Sequence, residues 1–438
     1  MTGAHDVMEA VKAANPVQAH AASTQPKSAA LSHIRICDLT GLLAGAGATR
    51  FLAAFGAQVI RVEQPAHEKH RWDFLRGGMA PDGSPGGINF GGNFNNHNVE
   101  KLSITLDLKS ARGKELLAKL IGVSDVVTEN FSAHVMERLG YDYEWLRSIN
   151  DQIIYVSNSG FGKSGPYSDF KSVGQVVQAV SGLTFVSGLP DQQPAGWGFA
   201  YMDHIGAYMM ATAVLGAIVA RNRTGQGQWI DFSCTEAGIG LAGPELLDST
   251  VNNRPMRRPG KPNSNSDNFP PMVPHGIYPA AGTDNWVAIA CRSDEDWARL
   301  AGVFGADWAR DPSLAAFPAR MARRDEIDGR IAEWTRGLER GQIEALVREA
   351  GVPVGQVARP QNRIENDPRT AAWGLWPTVQ HDEIGEVRVE GVPVHLSATD
   401  WSISKGAPCL GNDNDFVYGS LLGLSDGEIA DLRAQKVI

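Results

Sequence analysis

Three consecutive segments near the start of the chain limit what it can fold into. Residues 34–39 (IRICDL) read as a buried strand. Residues 40–56 (TGLLAGAGATRFLAAFG) join a glycine-rich turn to a helical pattern, and residues 58–65 (QVIRVEQP) read as a second strand. Strand, helix and strand in that order make a βαβ unit, which implies parallel strands and a right-handed crossover. The alternation returns with LSITLDL (102–108) as a strand, SARGKELLAKLIGV (110–123) as an amphipathic helix and DVVTENF (125–131) as a strand. HVMERLG and YEWLRSIN then read as short helices and QIIYVSNSGFG (152–162) as a further strand. This pattern predicts a doubly wound, Rossmann-like α/β domain whose ligand loops follow the strand ends. Two such loops are Glu129-Asn130-Phe131 and Asn158-Ser159-Gly160-Phe161-Gly162. Glycines in the second can present backbone N–H groups to an oxyanion or phosphate.

A second stretch, residues 196–233, is organised around one carboxylate. Asp203 precedes a run without formal charge, His204 to Ala220. Arg221, Arg223 and the turn Thr224-Gly-Gln-Gly end that run, and QWIDFS reads as a strand. Aspartate accepts hydrogen bonds from the free N–H groups at a helix start, so Asp203 is expected as an N-cap. The positive end of the helix dipole also keeps a carboxylate ionised. The uncharged run is shorter than the roughly 20 residues of a membrane span and reads as a core helix, apolar nearly all round. Two readings of Asp203 stand side by side: a helix cap, and a catalytic carboxylate aimed from a rigid helix into a cleft.

The 438 residues, 43% of them hydrophobic, suffice for two or more domains of roughly 150 residues each. Residues 1–30 lack an apolar period and read as a weakly ordered extension. The expected division is a large domain beginning at 31–225, a smaller α+β domain with its linker at 226–335, and a linker with a C-terminal return to the large domain at 336–438. Within these, 66–100 reads as a long binding loop and 250–275 as a linker or loop. Residues 276–305 read as two strands and a helix, and 323–350 as helical. GVPVGQV and 373–396 read as strands, and 423–438 as a helix started by a Ser425/Glu428 capping box.

A net charge of −9 with an isoelectric point near 5.7 argues against nucleic-acid binding. The four cysteines, Cys37, Cys234, Cys291 and Cys409, are far apart in sequence, without metal or redox spacing, and read as reduced, buried thiols of a cytoplasmic protein. No secretory signal pattern opens the chain. His67 and His70 read as a solvated pair rather than a metal site. Gly41, Gly45 and Gly47 do not make GxGxxG, although Glu63 stands where such a site has its acidic residue. No metal site and no membrane partner are expected.

The motifs DLTGLLAGAGATRFLAAFGAQVIRVEQP, LSITLDLKSARGKELLAKLI, IIYVSNSGFGKSGPYSD and RTGQGQWIDFS, with GVPVGQV, DPRTAAWG and LLGLSDGEIADLRAQKVI, occur in one order from Ile34 to Ile438. Together they resemble the class III CoA-transferases, the CaiB/BaiF family that includes formyl-CoA and carnitine CoA-transferases. The resemblance implies an interlocked homodimer and acyl-CoA and organic-acid substrates. It also implies no permanently bound cofactor, with coenzyme A entering as substrate and as covalent intermediate. It implies a nucleophilic aspartate about 20 residues before the Arg-Thr-Gly turn, which is Asp203, forming an aspartyl-CoA thioester. Ser159 and Gly160 are the implied oxyanion loop, and Leu42, Leu43, Gln64, Asn130, Phe131 and Arg138 the implied CoA site. Leu43 departs from the glutamine of oxalate-type members. Glu100-Lys101-Leu102-Ser103 stands where the family usually has Asn-Lys-Arg-Ser, so one basic contact is expected to be lost. Succinyl-CoA is the expected donor. The alternatives are an α-methylacyl-CoA racemase, whose histidine has no counterpart in Ser172-Val173-Gly174-Gln175, and a non-catalytic CoA-binding partner subunit. Arg254, Arg257 and Arg258 read either as solvated loop charges or as holders of a dicarboxylate. Trp72, Phe74 and Trp197 read either as packing aromatics or as contacts to an aromatic acid.

Overall fold

The computed structural model describes residues 29–65, 74–80, 82–189, 191–262, 264–266 and 271–438. Most of the N-terminal extension, the His67/His70 pair and Trp72 lie outside the described residues. In chain order, the first elements include strand β1 (Arg35–Asp38), helix α1 (Ala44–Ala54), β2 (Gln58–Glu63), β3 (Leu102–Thr105), α2 (Ala111–Gly122), β4 (Val126–Glu129), α3 (Val135–Leu139) and β5 (Ile154–Ser159), with short helices at Gly92–His97 and Tyr143–Ile149. Next come α4 (Gly174–Val180), α5 (Tyr201–Thr224), β6 (Gln228–Ser233), α6 (Cys234–Leu241) and α7 (Gly243–Asn252). The remainder includes β7 (His275–Pro279), β8 (Trp286–Ala290), α8 (Asp294–Phe304), α9 (Arg324–Arg336), α10 (Arg340–Glu349), β9 (Val354–Gln356), β10 (Thr378–His381), β11 (Gly385–Arg388) and α11 (Asp426–Ala434).

The chain divides into two compact units. The first takes the chain up to Asn158, Ala207–Asp231 and Pro377–Ile438; the second takes Ser159–Gly206 and Phe232–Trp376. The divisions therefore fall elsewhere than the expected 225 and 335: residues 159–206 and 336–376 belong to the second unit. Periodicity locates helices and strands but does not say which core they join, and here α5 contributes residues to both units.

In the first unit, six strands form one sheet in the order β3-β2-β1-β4-β5-β6. The pairs β1/β2, β1/β4, β2/β3 and β4/β5 are parallel, with Ile36 opposite both Val59 and Val126. This is the doubly wound order, which reverses direction between β1 and β4 and leaves a crevice at their carboxyl ends. Ile36, Val59, Ile60, Val126, Val127, Ile154 and Val156 are fully buried, as strands covered on both faces must be. Helix α2 starts where Ser110 Oγ accepts from Gly113 N at 3.0 Å, and it buries Leu116, Leu117, Leu120 and Ile121 on one face.

Helix α5 is longer than its uncharged run, at 24 residues, and by length and composition alone it could cross a membrane. Its packing is that of a core helix on one side only. Ala207, Met210, Ala211, Val214, Ala217 and Ile218 join the sheet core, while Tyr208, Thr212, Gly216, Val219 and Arg223 form an exposed stripe along it. The C-terminal segment fastens to β3. Asp413 Oδ2 accepts from Ser103 N at 2.8 Å, Asn414 Oδ1 from Thr105 N at 2.9 Å, and Tyr418 donates to the Thr105 carbonyl at 2.8 Å. Helix α11 begins with the expected Ser425/Glu428 capping box.

In the second unit, β7, β8 and β9 form an antiparallel sheet in that order. Trp297 and Leu300 of α8, Ile327 and Ile331 of α9, and Ile343 and Val347 of α10 fill the core beside it. A smaller cluster of Val177, Leu183, Met202, Cys234, Ala237 and Ala242 binds α4, the first turn of α5 and α6 to one another. Helix α7 enters the stretch read as loop, ending at Asn252 with none of its residues buried.

Candidate active site

Asp203 sits in the first turn of α5 rather than at its cap. The Ala200 carbonyl accepts from Asp203 N at 3.0 Å and from His204 N at 3.4 Å, so the helix starts at Tyr201 and Ala200 takes the cap position. The entry is fixed by aromatic packing, with Trp197 and Phe199 each edge-on to Tyr201 at 4.4 and 5.9 Å between centroids. A carboxylate in the first turn still lies at the positive end of the dipole. The side chain is partly buried, and burial pushes its pKa above the ordinary carboxylate value, with adjacent His204 pulling the other way. Among the described residues no donor reaches the carboxylate. Gly174, the first residue of α4, presses against it: a Cβ there would stand 3.0 Å from Cγ, Oδ1 and Oδ2 of Asp203.

The loop after β5 meets the same segment. A Cβ on Gly160 would fall 1.8 Å from Ser172 Oγ, so only glycine fits, and Ser172 and Gly174 touch Gly160 and Asp203 respectively. The Gly160 carbonyl is held by Thr235 N at 3.0 Å and Thr235 Oγ1 at 2.6 Å. Ser159 Oγ is buried without a hydrogen-bond partner among the described residues. Cys234, which sequence reading left among the inert thiols, lies in this cluster. Burial, then the charges of Asp203 and Glu236, push its thiol up to about 12, so it stays protonated. Nothing in its spacing marked it, because the proximity arises only when α6 folds onto α5.

Leu42, Leu43, Gln64, Asn130, Phe131 and Arg138 all lie in the first unit. The loops after β1 and β4 are tied by a reciprocal pair: Gly41 N donates to Asn130 Oδ1 at 2.7 Å and Asn130 Nδ2 to the Gly41 carbonyl at 2.8 Å. Leu42, at φ 57°, is exposed beside this pair, and Leu43 is the residue before α1. Phe131 N donates to Glu129 Oε2 at 2.7 Å. Four of the six thus flank the β1/β4 switch point. Gln64 follows β2, and Arg138 on α3 is exposed, with no ion pair among the described residues.

Glu63 is not available to a ribose: Arg76 binds it through Nε at 2.8 Å and Nη2 at 2.5 Å, and Ser103 Oγ donates at 2.9 Å. Burial opposes its charge, yet Arg61 and Arg76 outweigh that and hold the carboxyl at about 2. Lys101 is fully buried, its Nζ donating to Asp38 Oδ2 at 3.2 Å, Thr49 Oγ1 at 2.7 Å and Asn98 Oδ1 at 2.9 Å, while Glu100 accepts from Ser404 Oγ and Lys405 N. The Glu100-Lys101 pair thus serves packing. The loop arginines are also engaged, Arg254 and Arg258 by Asp248 and Arg257 by the carbonyls of Phe185 and Ser187. Among the described residues no three His, Cys, Asp or Glu side chains gather as a metal site.

Comparison with known proteins bears on the family and the fold. The family model described as CoA-transferase family III matches residues 31–414. Succinyl-CoA–D-citramalate CoA-transferase of Chloroflexus aurantiacus is 31% identical over 431 residues, covering 95% of this chain and 100% of that protein. Formyl-CoA:oxalate CoA-transferase of Streptomyces coelicolor is also 31% identical, over 93% of this chain and 99% of the relative. A crystal structure of a CaiB/BaiF family protein from Brucella suis overlays with a TM-score of 0.79 at 26% identity, covering 90% of this chain and 100% of that one. With the family model matched over residues 31–414 and relatives 31% identical along nearly its whole length, the chain belongs to CoA-transferase family III.

Proposed function

We propose that this enzyme moves CoA from succinyl-CoA to the carboxylate of a second organic acid, with Asp203 as the nucleophile. One observation carries the reading: Asp203 is a partly buried carboxylate without a hydrogen-bond donor among the described residues, at the positive end of a helix. A carboxylate oxygen attacks the thioester carbonyl carbon, the C–S bond breaks, and CoA leaves as a thiolate with a mixed anhydride behind it. The thiolate attacks the aspartyl carbonyl of that anhydride, releasing succinate and leaving an aspartyl-CoA thioester. The acceptor carboxylate attacks this thioester, the thiolate leaves again, and its return to the acceptor's carbonyl regenerates Asp203. No proton is exchanged, and each step conserves an activated acyl bond.

Shielding the intermediates from water suits a carboxylate held in partial burial. Ser159 Oγ, unpaired, and the N–H groups of the Gly160 loop are the donors assigned to the oxyanions. Asn130, Leu42, Leu43, Phe131, Gln64 and Arg138 are assigned to CoA, with Arg138 meeting phosphate. Against the racemase reading, the residue facing Asp203 is Gly174, which supplies no second base. The family resemblance supports a homodimer, which light scattering checks.

The test is direct. Incubation with succinyl-CoA, trapping with hydroxylamine or borohydride, and peptide mass spectrometry should find the modification on Asp203. An unmodified Asp203, or an Asp203→Ala variant that still exchanges CoA, overturns the mechanism. Deuterium entering the α-carbon of a 2-methylacyl-CoA from solvent would favour the racemase instead.

A further inference from the structure

We infer that Gln178 is a catalytic hydrogen-bond donor to the acyl adducts of Asp203, a role that rests on the reading of Asp203 given above. Gln178 is 1% exposed. Its Nε2 is buried and makes no hydrogen bond among the described residues, whereas buried amide donors in folded proteins are nearly always paired. Its surroundings are otherwise well fixed. The Gln178 carbonyl accepts from Ser181 Oγ at 3.1 Å and from Thr184 N at 3.3 Å, and adjacent Val177 packs in the cluster with Met202 and Cys234. The unpaired nitrogen thus sits on a packed, hydrogen-bonded helix end.

Position on the helix gives the donor its direction. Gln178 is four residues after Gly174, so the two lie on one face of α4, with Cβ positions about 5–6 Å apart. Long side chains on a helix lean toward its N-terminus, over the preceding turn. That turn holds Gly174, which has no side chain and whose Cβ position is 3.0 Å from all three carboxyl heavy atoms of Asp203. The lean expected of a long helical side chain thus carries the Gln178 amide toward the turn that adjoins Asp203. In the free enzyme it does not reach hydrogen-bond distance, and catalytic bonds of this kind often close only when the reacting group is in place.

The chemistry suits an amide. Each attack in the cycle places negative charge on an oxygen bonded either to the Asp203 carboxyl carbon or to an acyl carbon joined to it through one oxygen. An amide NH2 offers two donors to such oxygens. It is neutral and poorly nucleophilic, so a mixed anhydride does not acylate it as it would a lysine.

The experiment compares wild type with Gln178→Met, which keeps the length and removes the donors, and Gln178→Glu. Succinyl-CoA is the probe, with formyl-CoA as a second donor, and the Asp203 adduct is quantified by rapid quench and mass spectrometry beside a thermal melt. Gln178→Met is expected to slow adduct formation roughly 10²-fold, as loss of an oxyanion donor does, with an unchanged or higher melting temperature and little change in KM. Gln178→Glu is expected to be active only at low pH, where the protonated acid can donate, a profile that a packing role would not produce. Adduct formation at the wild-type rate in Gln178→Met, or a Gln178→Glu pH profile like that of wild type, overturns the inference alone. Absence of any adduct at Asp203 in wild type overturns the nucleophile reading and this inference together.

Discussion

The backbone of Gly174 forms the wall against which the Asp203 carboxylate rests, so closely that one added methyl group would meet all three carboxyl heavy atoms at 3.0 Å. The nucleophile's position is thus set by the absence of a side chain. Gly174→Ala should displace the carboxylate by a few tenths of an ångström or more and slow adduct formation roughly 10- to 100-fold, the usual sensitivity of a reacting group to small misplacement. The helix itself should tolerate alanine well. A melt within about 2 °C of wild type, with a reduced rate in rapid quench, is the expected pair of results.

Asp203 should trade stability for reactivity. Its pKa is raised in the folded state, so the native protein binds the proton more tightly than the unfolded chain does. That contribution is present below the ordinary carboxylate value, declines as pH rises through the folded value, and is gone at neutral pH, where the buried charge is a cost. Asp203→Asn should therefore melt higher than wild type at pH 7, on the order of 2 °C, with no difference or the reverse at pH 3. Transfer should fall to background in the variant, and the acid limb of the wild-type pH–rate profile should lie above pH 3.8.

Much of this was legible in the sequence, and the exceptions have physical causes. The parallel strands were visible because short strand-like segments such as IRICDL and DVVTENF alternate with helical patterns of crossover length. The capping box at Ser425 was visible because its two partners are fixed three residues apart. The start of α5 was not, because an alanine took the cap and aromatic packing at Trp197 and Tyr201 set the boundary. Gln178 and Cys234 carried no signal, since their significance depends on α4 and α6 packing on one helix turn. The burial of Lys101 was not legible, because a lone lysine before a strand gives no hint that its ammonium points at Asp38.

That ammonium supports a further prediction. Lys101 Nζ and Asp38 Oδ2 are both fully buried, 3.2 Å apart. Burial works against the Asp38 charge, but Lys101 and Arg61 outweigh it and hold the carboxyl below its ordinary value. Lys101→Met should strand that charge and destabilise the protein by about 3–5 kcal/mol, measured by urea unfolding. Replacing Asp38 and Lys101 together by Asn and Met should recover part of the loss. The neighbouring Glu63 adds an acid limit of its own: with its carboxyl held at about 2, its stabilising contribution is complete above about pH 4.5 and disappears as pH falls toward 2.

The cysteines offer an independent check on the packing. Cys37, Cys234, Cys291 and Cys409 are free and buried, and burial pushes the thiols of Cys234 and Cys291 up to about 12 and that of Cys409 up to about 11. A thiolate reagent such as Ellman's at pH 8 should find almost no reactive thiol in the native protein and four after unfolding. Rapid native labelling of Cys234 would contradict the packing of α6 against the first turn of α5.

Strand β3 is an edge of the six-stranded sheet, and Asp413 and Asn414 occupy its outward-facing N–H groups at Ser103 and Thr105. A bare edge of this kind is a template for another chain's strand. The side chains that mask it lie about 310 positions later in the sequence, so during synthesis the sheet can be built long before its guard arrives. Premature termination anywhere before residue 413 would release a product with a sticky flank, and its expected fate is precipitation rather than a soluble, merely inactive fragment.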